Sequence, residues 1–192
     1  NGLTYVVIGD GAGGSGIIEA IVSLNGQTIP ADGHFLVAES TWTACNGSAP
    51  DFVASLNFEN GDNYTHMLVA GFSGTNGQDL DTNNDCTLDL MPWLGELDRI
   101  ALVLTDNSLV DHVTTECHYG PPIVDYAVEV ANGNLPAPGL AIRCPDGSGT
   151  FKAGLGTPYC IQDTPGDVNM CVIPSGACCR GGRLGTRPYI RR

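Results

Sequence analysis

Positive charge is scarce in this chain. Of 192 residues only eight are Lys or Arg, against 21 Asp and Glu, for a net charge of −13. Nucleic-acid backbones and anionic membranes are therefore poor candidates for direct contact. No Cys-x-x-Cys pair occurs among the eight cysteines, which argues against a structural zinc ribbon. No apolar run has the length of a bilayer span, and no secretory leader is recognisable. The G-x-S-x-G elbow, the H-E-x-x-H helix and the Cys/His nucleophile signatures are missing, so classical serine hydrolase chemistry has no support. Long helical periods are missing too. The 26 glycines and 12 prolines divide the chain into short segments, the pattern of an all-β domain with many turns.

What is present begins with the cysteines. Eight in a chain of this size indicate an oxidising compartment, and the chain reads as a mature or excised piece of a secreted protein. Spacing alone does not select the pairing. Cys86 is expected to bond Cys45 or Cys117, and Cys144 to bond Cys160 or Cys171. The length suits one domain with a tail. Arg180, Arg183, Arg187, Arg191 and Arg192 are five of the eight basic residues. So abrupt a change reads either as a basic arm or, more in keeping with an acidic body, as a non-native or disordered extension over residues 173–192. Residues 1–172 then form the domain.

The string Gly9-Asp10-Gly11-Ala12-Gly13-Gly14 satisfies G-x-G-x-x-G, but a dinucleotide site needs a helix to open at its end. Ile17 to Leu24 is too short for a crossover helix and too rich in β-branched residues. Ile18, Ala20, Val22 and Leu24 alternate as one apolar face of a strand. Two strands joined by a glycine-rich loop is the simpler reading. Further strands are expected at 3–8, 35–38, 52–56, 65–72, 97–104, 109–113, 124–130 and 140–143. Turn pairs such as Asn25-Gly26, Asp32-Gly33 and Asn132-Gly133 punctuate them. This spacing predicts an antiparallel sandwich or barrel, with Val6, Val22, Leu68, Ile100 and Leu102 in its core.

The strongest chemical motif is NGQDLDTNNDCTLDLMPW, residues 76–93. Asp81, Asn83 and Asp85 place oxygen side chains at alternate positions, as in a calcium loop whose seventh position, Thr87, supplies a carbonyl. Asp79 and Asp89 add further carboxylates, and Leu88 stands where such loops turn an apolar residue inward. Cys86 occupies the sharp-turn position where glycine is expected, and Pro92 replaces the bidentate Glu, so the loop is a calcium-type oxygen cage and not an EF-hand. Oxygen-only donors favour calcium over zinc.

The segments LTYVVIGDGAGGSGIIEAIVSLNGQTIPADGHFLVAEST, LNFENGDNYTHMLVAGFSG, DLDTNNDCTLDLMPW, DRIALV and DTPGDVN together resemble the lamin-tail-like domains of secreted bacterial proteins. The resemblance spans residues 2 to about 170. It implies an immunoglobulin-like β-sandwich with long loops, a domain clipped of its first strand, and an accessory role in a larger extracellular protein. An unidentified ligand or the other domains of that protein would be its partners. The alternative is a metal-dependent hydrolase of phosphate esters. In that reading a cation held by Asp79, Asp81 and Asp85 acts as Lewis acid, with His66 or Glu59 as base.

Overall fold

The computed structural model describes residues 2–9, 14–44, 46–58, 63–103, 117–123, 140–147, 149–153, 164–169 and 171. These contain no helix. Nine strands run in chain order: β1 (Leu3–Gly9), β2 (Ile17–Ser23), β3 (Val37–Ala38), β4 (Phe52–Val53), β5 (Tyr64–Ala70), β6 (Gly95–Leu102), β7 (Pro122–Ile123), β8 (Ala141–Cys144) and β9 (Thr150–Ala153). The chain is all-β over this range, with mixed pairing. β3–β4 and β6–β7 are parallel, where sequence had suggested antiparallel pairing alone. The strands expected at 109–113 and 124–130 lie outside the described residues, as does the tail at 173–192. β7 and β9 were not anticipated.

Two compact units divide the chain. The first, Asn1–Thr28 with Ala54–Pro138, is built on a five-stranded sheet in the order β2-β1-β5-β6-β7. β1 and β5 are apolar and β-branched along their length, which suits central strands. β2 pairs antiparallel with β1 across the glycine-rich connection, so residues 17–23 are a strand and the dinucleotide reading is excluded. The outer edge of β2 is itself occupied. Ile18 N donates to Gln78 O at 3.0 Å, Gly77 N to Ile18 O at 2.7 Å, and Leu80 N to Gly16 O at 2.9 Å. The acidic loop thus starts as an added partial strand, which shields an otherwise open edge.

The sheet buries apolar groups on both faces. Val6, Ile8, Ile18, Met67 and Val69 cluster with Leu80, Cys117 and Tyr119 on one of them. Opposite residues of paired strands share a face and neighbours along a strand do not. Tyr5, Val7, Ala20, Val22, Tyr64, His66 and Ile100 therefore belong to the other.

The expectation of one continuous apolar face on β2 fails at Glu19. Val7 pairs with Ala20 but Ile8 pairs with Ile18, so Glu19 is an extra residue in a β-bulge. The bulge sends Ile18 to the face carrying Leu80 and leaves Ala20 and Val22 on the face of Tyr5. Of the expected core, Val6, Val22, Ile100 and Leu102 are buried. Leu68 is only half-buried.

The second unit, Ile29–Val53 with Gly139–Arg192, holds two small sheets, β3–β4 and β8–β9. Side-chain links supplement their short ladders. His34 Nε2 lies 3.3 Å from Asp146 Oδ2, and Asn169 Nδ2 donates to Asp146 Oδ1 at 2.7 Å and to Arg143 O at 3.1 Å. Cys144 bonds Cys171, one of the two partners expected for it. The guanidinium of Arg143 stands 4.1 Å over the Phe151 ring, a cation–π contact.

The division of faces is open to test on adjacent residues of β5. Met67→Ala, deep in the cluster, should destabilise by about 3 kcal/mol in urea titration, and Leu68→Ala by about 1 kcal/mol. Equal losses would contradict the assignment.

Candidate functional site

The acidic loop is organised from inside by one carboxylate. Asp81 is fully buried. Its Oδ1 accepts from Asp85 N at 3.1 Å, and its Oδ2 accepts from Cys86 N at 2.9 Å and from Tyr119 Oη at 2.7 Å. A buried carboxylate is tolerable only with such partners, and hydrogen bonds to a charged acceptor are the strong ones. Tyr119 is in turn fixed from β5, since its amide donates to Thr65 Oγ1 at 3.0 Å. Burial pushes the Tyr119 hydroxyl well above the usual phenol range, and the bond to Asp81 with its charge adds to this. The hydroxyl is therefore a permanent donor.

The rest of the loop follows in short steps. Asp79 Oδ1 accepts from Asp81 N at 3.0 Å. Asn83 Oδ1 accepts from Asp85 N, and Asp85 Oδ1 from Thr87 N. Asp89 Oδ2 closes the loop by accepting from Thr82 N at 2.9 Å and Thr82 Oγ1 at 2.6 Å. Each is a side-chain oxygen capping a nearby backbone amide, the local chemistry that Asp and Asn bring to turns. Asn84 and Cys86 adopt positive φ, 55° and 67°. Cys86 therefore takes the left-handed conformation that its position requires and that glycine would supply without strain. Its disulfide to Cys117 ties the turn to the segment carrying Tyr119. Cys117 is one of the two partners expected for it. Closing a loop of 31 residues contributes about 3 to 4 kcal/mol in the chain-entropy description.

The glycine string serves this loop. Gly16 has φ +88°, and a Cβ there would lie 2.7 Å from Asp81 Cβ and 3.1 Å from the Tyr119 hydroxyl. A Cβ on Gly14 would meet Asn84 Oδ1 at 2.5 Å, the oxygen that accepts from Ser15 N. The glycines allow backbone to approach a carboxylate already in the protein, where a nucleotide site would use them to approach a phosphate.

All six expected cation ligands, Asp79, Asp81, Asn83, Asp85, Thr87 and Asp89, fall in this one loop. Their oxygens are engaged mainly by backbone amides. Among the described residues no three His, Cys, Asp or Glu side chains gather into a metal cage.

Of the two expected bases, only His66 falls among the described residues. Glu59 lies outside the described residues, as do His112 and the cysteines at 45, 160, 178 and 179. His66 sits on β5 between Thr65 and Met67, which both face the loop, so its ring projects from the other side of the sheet. There it stacks on Tyr5 and meets Tyr64 and Phe58 edge-on, with Tyr5 Oη hydrogen-bonded to its Nδ1. Burial among these rings lowers its pKa from 6.5 to about 4. His118 bonds locally to Gly120 O.

Two signals in the sequence pointed to residues that escaped notice. Leu80 is an isolated apolar residue between two aspartates, and it is fully buried. Tyr119 follows a cysteine bonded to the loop. No family model, curated protein or solved structure matches the chain.

Two measurements check this geometry. Asp81→Ala should lower unfolding free energy by about 3 kcal/mol even in chelator, because it strands two amides and a phenol. Tyr119→Phe should cost about half as much. For His66 the folded pKa is depressed, so the unfolded chain binds the proton first as pH falls. Stability held above pH 6.5 should decline to a new level near pH 4, by about 3 kcal/mol. His66→Gln should flatten that part of the stability–pH curve. An unchanged curve would contradict the burial of the neutral ring.

Proposed function

We propose that the chain is a non-enzymatic accessory module of a secreted bacterial protein, an immunoglobulin-like β-sandwich of the lamin-tail-like kind, whose acidic loop takes up calcium. The resemblance of residues 2 to about 170 supports the family. The all-β architecture and the two disulfides are in keeping with it and with an oxidising, extracellular setting. Among the described residues no helix is long and apolar enough to cross a membrane.

The observation that carries the calcium reading is the bond from the Cys86 amide to the Asp81 carboxylate. It joins the sixth position of the loop to the first, around a left-handed residue, with Asn83 and Asp85 between them. That frame presents oxygens at alternate positions around one turn, the arrangement a calcium loop uses. Asp79, Asn83, Asp85, Asp89 and the Thr87 carbonyl are the groups that would hold the ion. Asp81 already serves the frame and would add an oxygen without moving. The carboxylates of Asp85 and Asp89 are on exposed residues, where water can replace the bonds to Thr87 and Thr82 that they would give up to an ion. When bound, the ion supplies attraction in place of repulsion among these carboxylates and locks the loop.

The hydrolase alternative gains nothing from the placement of His66. His66 stands across the sheet from the loop, with a neutral ring buried among aromatic side chains. The partners of such a module are the neighbouring domains or the ligand of the larger protein.

Titration calorimetry with calcium chloride should show binding at or below millimolar concentration. Melting should rise on calcium addition, by about 2.7 kcal/mol of stability at a hundred times the dissociation constant. The double change Asp85→Ala and Asp89→Ala should abolish both effects. Absence of heat and of any melting shift at millimolar calcium would end the calcium reading.

A further inference from the structure

We propose that the segment Leu90–Leu97 is a docking surface for a basic, apolar-centred polypeptide segment of another protein. Leu94 is 91% exposed, Met91 64%, Leu97 53% and Leu90 45%. Four large exposed apolar side chains within eight residues are a concentration of the kind that marks an interaction site, where single exposed leucines would mean nothing.

The patch is held in shape. Ser73 N donates to Pro92 O at 2.8 Å and Leu94 N to Ala70 O at 2.9 Å. Trp93, Leu88 and Phe72 turn inward and pack against the buried cluster of the sheet. Leu97 is held outward by a bulge of its own. Leu68 pairs with Asp98 and Val69 with Glu96, so Leu97 is the extra residue. The backbone is therefore anchored while the side chains at 90, 91, 94 and 97 face solvent, a preformed surface that loses little freedom on binding.

Charge selects the occupant. Asp85 and Asp89 precede the apolar residues and Glu96 and Asp98 follow them. The unit bearing the patch contains fifteen Asp and Glu residues and a single basic one, Arg99, which is itself paired with Glu96 at 3.1 Å. A second copy of this surface would bring acid against acid, which disfavours self-association through it. A segment with apolar anchors and Lys or Arg at its rim meets both the patch and the field around it.

The test uses fluorescence anisotropy in chelator, so that the outcome is independent of calcium. The probe is a labelled amphipathic peptide of alternating Leu and Lys, compared with the same peptide carrying Glu for Lys and with one carrying Ser for Leu. The Leu/Lys peptide should bind, and both counterparts should bind at least tenfold more weakly. Met91→Ser with Leu94→Ser should weaken the Leu/Lys peptide at least tenfold with melting temperature unchanged. Undiminished binding to that variant would show that charge alone attracts the peptide and would overturn the proposal. Equal binding of the Leu/Glu peptide would do the same. So would sedimentation showing a dimer of the chain that Leu94→Ser dissociates, since the occupant would then be a second copy.

Discussion

The acidic loop rests on a carboxylate that water does not reach. Asp81 is buried against the glycine-rich turn and holds the amides of Asp85 and Cys86 and the hydroxyl of Tyr119. Three otherwise separate parts of the chain meet there: the connection between β1 and β2, the loop at 79–89, and the segment after Cys117. An unpaired buried charge would be prohibitive, so the three parts must be in place together. The Cys86–Cys117 bridge limits how far two of them can separate in the unfolded chain. Gly16 keeps the third from colliding. Loss of the loop amides or of the Tyr119 hydroxyl leaves the carboxylate with too few donors.

The same sheet carries two distinct environments. The side facing the loop is mainly apolar, with Asp81, Thr4, Thr65 and the Tyr119 hydroxyl among its buried polar groups. The opposite side carries an aromatic cluster around a neutral imidazole. Acid sensitivity belongs to the second and cation sensitivity, on the reading advanced above, to the first. β5 separates them, since its residues alternate between the two. Whatever binds at the loop therefore reaches His66 only through the packing of one strand.

Much of the first unit was legible in the sequence because β1, β2, β5 and β6 combine β-branched residues with sharp boundaries at glycine, asparagine and aspartate. The loop was legible as chemistry, since alternate oxygen residues have few other reasons to stand together. Its interior was not. Nothing local marks Asp81 as the buried carboxylate among several aspartates, because the decisive partner, Tyr119, lies 38 residues away. The Glu19 bulge was hidden for a different reason: inserting one residue leaves the alternation intact on each side and shifts only the register. The placement of His66 was within reach. Met67 and Val69 are apolar residues two apart on an expected strand, and alternation alone turns His66 away from Met67 to the other face. β3 and β4 fall within the strands expected at 35–38 and 52–56, whereas the two-residue β7 is too short to carry a period and β9 shows none that separates it from loop.

Hydrogen exchange at the amides of Asp85 and Cys86, read by NMR in chelator, tests the role of Asp81 most directly. Both amides belong to exposed residues of a surface loop, where fast exchange is the ordinary outcome. Bonded to the Asp81 carboxylate, they should exchange about a hundredfold or more slowly than an unstructured chain, and lose that protection in Asp81→Ala while amides of β1 and β5 retain theirs. Exchange of both amides at unstructured rates in the unaltered chain would contradict the account.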